Sequence, residues 1–185
     1  EEIPNWVCCG ASSAHMTSEL LGLALPVKNL VAARDMHLDV VACCAACYNR
    51  LKIANRTVSL DADQAERVGQ VVGNPYHGET PVIHLLEVIT RQSGLDALRD
   101  KMRREIEGLR VAAYYGCLLV RPPEVGFDDP ENPVLLDKLV TALGGEPVDW
   151  PYKTECCGGS LSLTRTEVAL KLGLASHHAG HLPIF

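Results

Sequence analysis

The chain has 185 residues, 47% of them hydrophobic and 22% charged, with a formal net charge of −6. That balance suits one large or two small globular domains with an apolar core, and excludes a disordered or fibrous chain. The longest apolar runs, such as Leu20 to Val27 and Leu38 to Cys44, fall far short of the roughly 20 residues of a membrane-spanning helix, and without a block of Lys or Arg the acidic balance argues against a nucleic-acid groove.

Taken in chain order, short apolar runs alternate with amphipathic stretches, the pattern of an α/β protein. Strands are predicted at Leu38–Ala42, Leu109–Tyr115 and Glu146–Trp150. Helices are predicted at Ala62–Val72, Pro81–Thr90, Leu95–Glu107, Pro133–Leu143 and Leu161–Leu172. Several of these open at or beside a Pro and close at Gly, as helix boundaries tend to. The stretch Arg121–Asn132, with Pro122, Pro123, Gly126 and Pro130, reads as an irregular loop.

Eight cysteines, at 8, 9, 43, 44, 47, 117, 156 and 157, are the most informative residues. Disulfides suit small secreted chains, whereas this one has apolar residues enough to fold without them. It has no stretch laid out like a secretory signal and is expected to be cytoplasmic. Three Cys–Cys doublets and a Cys-x-x-Cys crowd the thiols together, which suits a metal better than bridges to distant partners.

The flanks of two doublets repeat, since Val7-Cys8-Cys9-Gly10-Ala11-Ser12 is echoed by Glu155-Cys156-Cys157-Gly158-Gly159-Ser160. A repeat implies two similar half-domains, placed here at 1–107 and 108–185. In the first, Thr80-Pro81-Val82-Ile83 follows; in the second, Leu182-Pro183-Ile184-Phe185 resembles it. Gly10 to Pro81 spans 71 residues, however, and Gly158 to Pro183 only 25. No Cys-x-x-Cys lies in that shorter span, and nothing like Tyr115-Gly116-Cys117 precedes Cys8. The sequence is therefore expected to be part of a longer chain that supplies both.

Cys44-Ala45-Ala46-Cys47 spaces two thiols three apart across the start of a helix, so that both reach one cluster. The preceding apolar run puts them at the carboxyl end of a strand, where open α/β sheets build their sites, and the helix N-terminus favours thiolate. Adjacent cysteines such as Cys8 and Cys9 can bind different irons, which fits a multi-iron cluster better than one zinc. Cys43, the strand residue before Cys44, is expected to point the opposite way and lie in the apolar layer as a bystander.

The stretches Trp6 to His15, Ala42 to Arg50, Tyr115-Gly116-Cys117 and Glu155 to Ser160 resemble the CCG domain, which occurs twice in the B subunit of heterodisulfide reductase and in its bacterial relatives. The resemblance covers essentially the whole chain. It implies a duplicated α/β CCG fold, each half a small sheet flanked by helices with cysteines at strand ends. It further implies two noncubane 4Fe-4S clusters, with Cys8, Cys9, Cys44 and Cys47 as ligands of the first and Cys117, Cys156 and Cys157 as ligands of the second. The implied activity is that of an oxidoreductase acting on sulfur groups, in which the clusters bind the sulfurs of a small-molecule disulfide at iron and reduce it to two thiols, or run the reverse. The implied partners are a ferredoxin-like iron–sulfur subunit of the C type and a flavin-bearing subunit of the A type. This sequence departs from the pattern in lacking the leading Cys of the first set and the Cys-x-x-Cys of the second, and in having a cysteine at 43.

Other readings stand beside this one. The chain could be an electron-transfer subunit of another CCG complex, of the lactate, glycolate, glycerol-3-phosphate or benzoyl-CoA type, or a zinc-stabilised interaction module. His15 could be a ligand or proton donor, although a hydrogen-bonded structural role is the plainer reading. Arg50, Lys52 and Lys153 could attract an anionic substrate, with ordinary surface charge as the plainer reading. His177 and His178, and the charged stretch Arg103 to Glu107, read as solvated. No Gly-rich phosphate loop is present, so flavin or nicotinamide is expected on another subunit.

Overall fold

The computed structural model describes residues 1–11, 13–92, 94–104, 106–162 and 164–178. The chain divides into two compact units, Glu1–Leu85 and Leu86–Phe185. Residues 86–107, assigned from sequence to the first half-domain, share a unit with the second.

In the first unit a short helix α1 (Ala14–Thr17) leads into α2 (Glu19–Asp35), which is followed by strand β1 (Val40–Ala42), helices α3 (Ala45–Leu60) and α4 (Ala62–Val72), and strand β2 (Val82–His84). The two strands pair in parallel, Val40 opposite Val82 and Ala42 opposite His84. The core lies between this sheet and the helices, with Val27, Leu30, Ala54, Val58, Val68 and Val82 all essentially inaccessible. Periodicity does not reveal α2, because its apolar residues run round the helix instead of along one stripe. Such a helix is buried on most sides, and α2 packs against both α3 and α4. Its one internal Pro, Pro26, is itself buried. α4 matches its prediction at both ends: Asp61 caps the first turn by accepting from the Gln64 N–H at 3.0 Å, and Gly73 closes the helix with a left-handed φ of 81°.

The second unit has less regular structure. Helix α5 (Leu85–Glu87), which begins at the boundary, runs into a π-helical turn at Val88–Gln92, and α6 (Leu95–Arg99), β3 (Arg110–Val111), α7 (Leu135–Ala142) and β4 (Glu146–Pro147) follow. β3 and β4 pair in parallel. A 3-10 turn at Gly159–Leu161 precedes the last helix, α8 (Thr166–His178). Arg121–Asn132 is irregular, as predicted, and its Val125 and Phe127 anchor it in the interior.

Each unit is thus a small parallel sheet flanked by helices, the α/β arrangement predicted. The strands predicted at Leu109–Tyr115 and Glu146–Trp150 shrink to the two-residue β3 and β4, and three further elements differ from prediction. Pro81–Thr90 opens with β2, not a helix, because Val82 and Ile83 complete the sheet beside β1, and Pro81 contributes the carbonyl that accepts the Val40 N–H at 2.9 Å. At a strand start the missing N–H of Pro costs nothing. Leu95–Glu107 is helical only as far as Arg99, and α6 buries no residue. The last helix starts at Thr166 instead of Leu161, behind the 3-10 turn. The Leu182 to Phe185 segment lies outside the described residues.

Candidate metal centre

Two sets of thiols are assembled, one in each unit. In the first, Cys8 and Cys9 lie on an irregular segment ahead of α1, and the buried Asn29 of α2 fixes that segment. Its amide receives the Val7 N–H and donates to the Val7 carbonyl, both at 2.9 Å, as a neighbouring strand would. Gly10 then turns the chain with φ 78°, its carbonyl accepting from the Ala14 N–H at 3.1 Å. A Cβ at Gly10 would lie 2.6 Å from that of Ala14, so only glycine fits. Cys9 is thereby turned inward, 5% exposed, and its Sγ lies 3.1 Å from that of Cys47.

Cys44 and Cys47 sit where β1 runs into α3, Cys44 as the N-cap residue and Cys47 in the first turn. The Cys44 side chain makes no capping hydrogen bond, yet the backbone N–H groups of Cys47, and then of Ala46, lower its pKa against a smaller opposing effect of burial. The Cys47 thiol is pushed well up, first by burial and then by the neighbouring Cys9 and Cys44 sulfurs. Cys8, Cys43 and Cys44 are exposed. The expectation that Cys43 lies in the apolar layer is corrected. β1 buries Val40 and Ala42 and exposes Val41, so strict alternation carries Cys43 to the outer face with Val41. Cys44 is exposed as well, so the two cysteines do not face opposite ways: the strand ends at Ala42 and Cys44 already caps α3.

In the second unit the left-handed Gly116, φ 64°, sets Cys117. The Tyr115 and Gly116 N–H groups both donate to the Lys153 carbonyl, at 2.8 and 3.0 Å, tying this turn to the segment that carries Cys156 and Cys157. The Tyr114 hydroxyl donates to the Glu155 carbonyl, the residue before the doublet, at 2.6 Å. Gly158 repeats the left-handed turn of Gly10, φ 74°, and a Cβ there would lie 2.8 Å from Ala169 Cα. Its N–H donates to Cys156 Sγ at 3.4 Å. Burial, then Cys156 and Cys157, raise the Cys117 pKa. Burial, then the neighbouring Cys157, Cys117 and Cys156 sulfurs, raise that of Tyr114. Among the described residues no three His, Cys, Asp or Glu are gathered closely enough to hold a single metal ion.

The basic residues near the motifs are engaged within the fold. Arg50 donates from Nε to the Ala11 carbonyl at 3.0 Å and holds the segment after Gly10 onto α3. Lys52 donates to the Val82 carbonyl at 2.8 Å. Lys153 is buried, with Asp149 at 3.5 Å and Asp137 at 3.9 Å. His15 is exposed, and slight burial followed by the Arg50 charge lowers its pKa. The side chains of His177 and His178 lie outside the described residues. Sequence reasoning missed Asn29 and Tyr114. An asparagine inside an apolar helical run was a usable signal, because a buried amide must find partners; a tyrosine in a predicted strand gives no such hint.

A sequence profile of the cysteine-rich domain called CCG matches residues 2–52 and 111–178, one segment in each unit. The chain is 32% identical over 161 residues to the 8-methylmenaquinol:fumarate reductase membrane anchor subunit of Wolinella succinogenes, covering 85% of this chain and 55% of that one. It is 30% identical over 162 residues to the B subunit of the ferredoxin:CoB-CoM heterodisulfide reductase of Methanosarcina mazei, covering 85% and 54%. A protein of Archaeoglobus profundus that is like the heterodisulfide reductase B subunit is 29% identical over 173 residues, covering 89% and 58%. The chain thus spans little more than half the length of these curated relatives. No helix among the described residues is long and apolar enough to cross a membrane. With both thiol-bearing segments matched, the chain belongs to the CCG cysteine-rich domain family, as its resemblance to the B subunit of heterodisulfide reductase implied.

Proposed function

We propose that this chain is an iron–sulfur redox subunit of a larger cytoplasmic complex and that it reduces, or forms, a small-molecule disulfide. The observation that carries the reading is the convergence of cysteines distant in sequence, with Cys9 Sγ 3.1 Å from Cys47 Sγ at the carboxyl end of β1. The donor sets fit such a group chemically: both are thiol-only, and both contain adjacent cysteines able to bind different irons. Cys8, Cys9, Cys44 and Cys47 would hold the first 4Fe-4S group, of noncubane type, and Cys117, Cys156 and Cys157 would contribute to the second. When bound, such groups supply single electrons and an iron site for sulfur. Reduction of a disulfide takes two electrons and two protons and releases two thiols. The electrons would come from a ferredoxin-like subunit fed by a flavin-bearing one, the partners that the family resemblance implies.

The protein's own part is to keep the thiols in register and partly dry. Gly10 and Gly158 turn each doublet, α3 offers its N-terminal N–H groups to Cys44, and the Lys153 carbonyl fixes the Cys117 turn. A second reading, an electron-transfer subunit that handles no disulfide, is favoured by the fumarate reductase relative. A zinc-stabilised module is the third. Anaerobic analysis of the complete polypeptide should give brown protein with about eight irons and a matching count of acid-labile sulfide. Stoichiometric zinc without iron would sink both redox readings, and iron without disulfide reductase activity in the assembled complex would favour the second.

A further inference from the structure

We propose that Asn29 and Tyr114 are positioning residues for the two cysteine doublets, each acting by holding the carbonyl of the residue immediately before its doublet; the inference rests on the metal-centre reading above. In the first unit the Asn29 amide donates to the Val7 carbonyl at 2.9 Å, one residue before Cys8. In the second the Tyr114 hydroxyl donates to the Glu155 carbonyl at 2.6 Å, one residue before Cys156. The donors differ in kind and in place along the chain, one from α2, which follows its doublet, and one from the segment after β3, which precedes its doublet. They nevertheless meet the repeat at the same backbone atom.

That atom is where a hold is needed. The doublets are followed by left-handed glycines that cannot lean on a side chain, and three of the four doublet thiols are exposed. A bond placed before the doublet, combined with the glycine turn after it, fixes both ends of a two-residue span. The remaining freedom of the thiols is then rotation about their own side-chain bonds. Asn29 holds Val7 twice, through N–H and carbonyl, and is itself 7% exposed. The Tyr114 ring packs against Trp150, with centroids 5.9 Å apart, and Trp150 donates from Nε1 to the Ala113 carbonyl at 2.8 Å. Both donors are therefore braced, as groups that orient metal ligands from behind must be.

The test uses the full chain, metal-free and then reconstituted anaerobically with ferrous iron and sulfide. Tyr114→Phe removes one hydroxyl, and Asn29→Asp keeps the acceptor for Val7 while removing its donor. In the metal-free chain, hydrogen exchange of peptides covering Val7–Ala11 and Glu155–Gly159 should accelerate about tenfold, the scale of one lost hydrogen bond. Asn29→Asp should affect only the first peptide and Tyr114→Phe only the second. After reconstitution, iron should bind about 10- to 100-fold more weakly in the variant's own half. The electron paramagnetic resonance signal of that half should change while the other half's is preserved. If Asn29→Asp lowers the unfolding midpoint of the whole chain, Asn29→Ser replaces it, since it removes the reach to Val7 without adding a charge. Unchanged exchange in the variant's own half, or equal changes in both halves, would overturn the proposal. A wild-type chain that takes up no iron would defeat the metal-centre reading, and the exchange measurement would still decide the positioning role.

Discussion

The smallest features that matter are two glycines and a pair of unequal thiols. Gly10 and Gly158 were legible as repeated letters, but their purpose was not, because the sequence does not show that each needs a positive φ and has a neighbour where a Cβ would go. Gly73 is a natural control, with φ 81° and open space around it. Gly73→Ala should cost only the left-handed strain, about 1 to 2 kcal/mol. Gly10→Ala should add the clash with Ala14, on the order of 1 to 3 kcal/mol more, and urea unfolding of the two variants should show that gap. The thiols of the Cys-x-x-Cys differ in the opposite sense from their equal spacing. In the metal-free chain the helix N–H groups lower the pKa of Cys44, whereas burial and neighbouring sulfurs raise that of Cys47. As pH rises from 6 to 9, alkylation of Cys44 should therefore begin first and Cys47 should stay largely protonated, with site-resolved mass spectrometry as the measurement. Equal rates would count against this assignment of the helix effect. Cys43, on the outer face, should tolerate Cys43→Ala within about 0.5 kcal/mol and leave the iron count unchanged, while Cys44→Ala should lower it.

At the scale of elements, what the sequence showed depended on whether local signals acted alone. α4 agrees with its prediction to the residue, and its ends are set locally, Asp61 starting the helix and Gly73 stopping it. β2 was misread because a Pro and an apolar run also open helices, and only the strand it pairs with, some 40 positions earlier, decides the matter. α7 is the plainest case of non-local control. Its N-terminal N–H groups are met not by a neighbouring cap residue but by two distant side chains: Asp128 accepts from Val134 and Leu135, both at 2.8 Å. The Tyr115 hydroxyl accepts from Leu136 at 2.8 Å and Asp137 at 3.3 Å. All four orphan donors of the helix are thus satisfied. Burial, the largest influence, pushes the Tyr115 pKa up to about 12, so its hydroxyl stays protonated at any working pH and can serve as both donor and acceptor. Asp128→Ala should cost about 0.5 to 2 kcal/mol, the range for losing a helix cap, and Tyr115→Phe about 1 kcal/mol, because it strands two half-buried N–H groups. Because Tyr115 lies two residues before Cys117, Tyr115→Phe should also loosen iron in the second half, and Asp128→Ala should not.

At the scale of the molecule, the repeat was visible and so was its asymmetry, and that asymmetry sets a prediction about how the two halves behave. The first unit carries four proposed ligands, Cys8, Cys9, Cys44 and Cys47, and the second carries three, Cys117, Cys156 and Cys157. A cluster lets go of iron to a chelator when its thiolates detach in turn, so each additional anchored thiolate slows release. The first set also has a closely approached pair, Cys9 and Cys47, and a helix N-terminus that favours thiolate. On this 185-residue chain, reconstituted anaerobically, an excess of an iron chelator should therefore remove iron in two phases of comparable amplitude, the second half's iron leaving first. Cys44→Ala should diminish the slow phase and leave the fast one, and Cys157→Ala should do the reverse. Adding back a polypeptide that includes a further Cys-x-x-Cys, as the spacing of the repeat anticipates, should slow the fast phase alone. A single phase in the unmodified chain, altered equally by both substitutions, would mean that the two thiol sets do not act as separate metal centres.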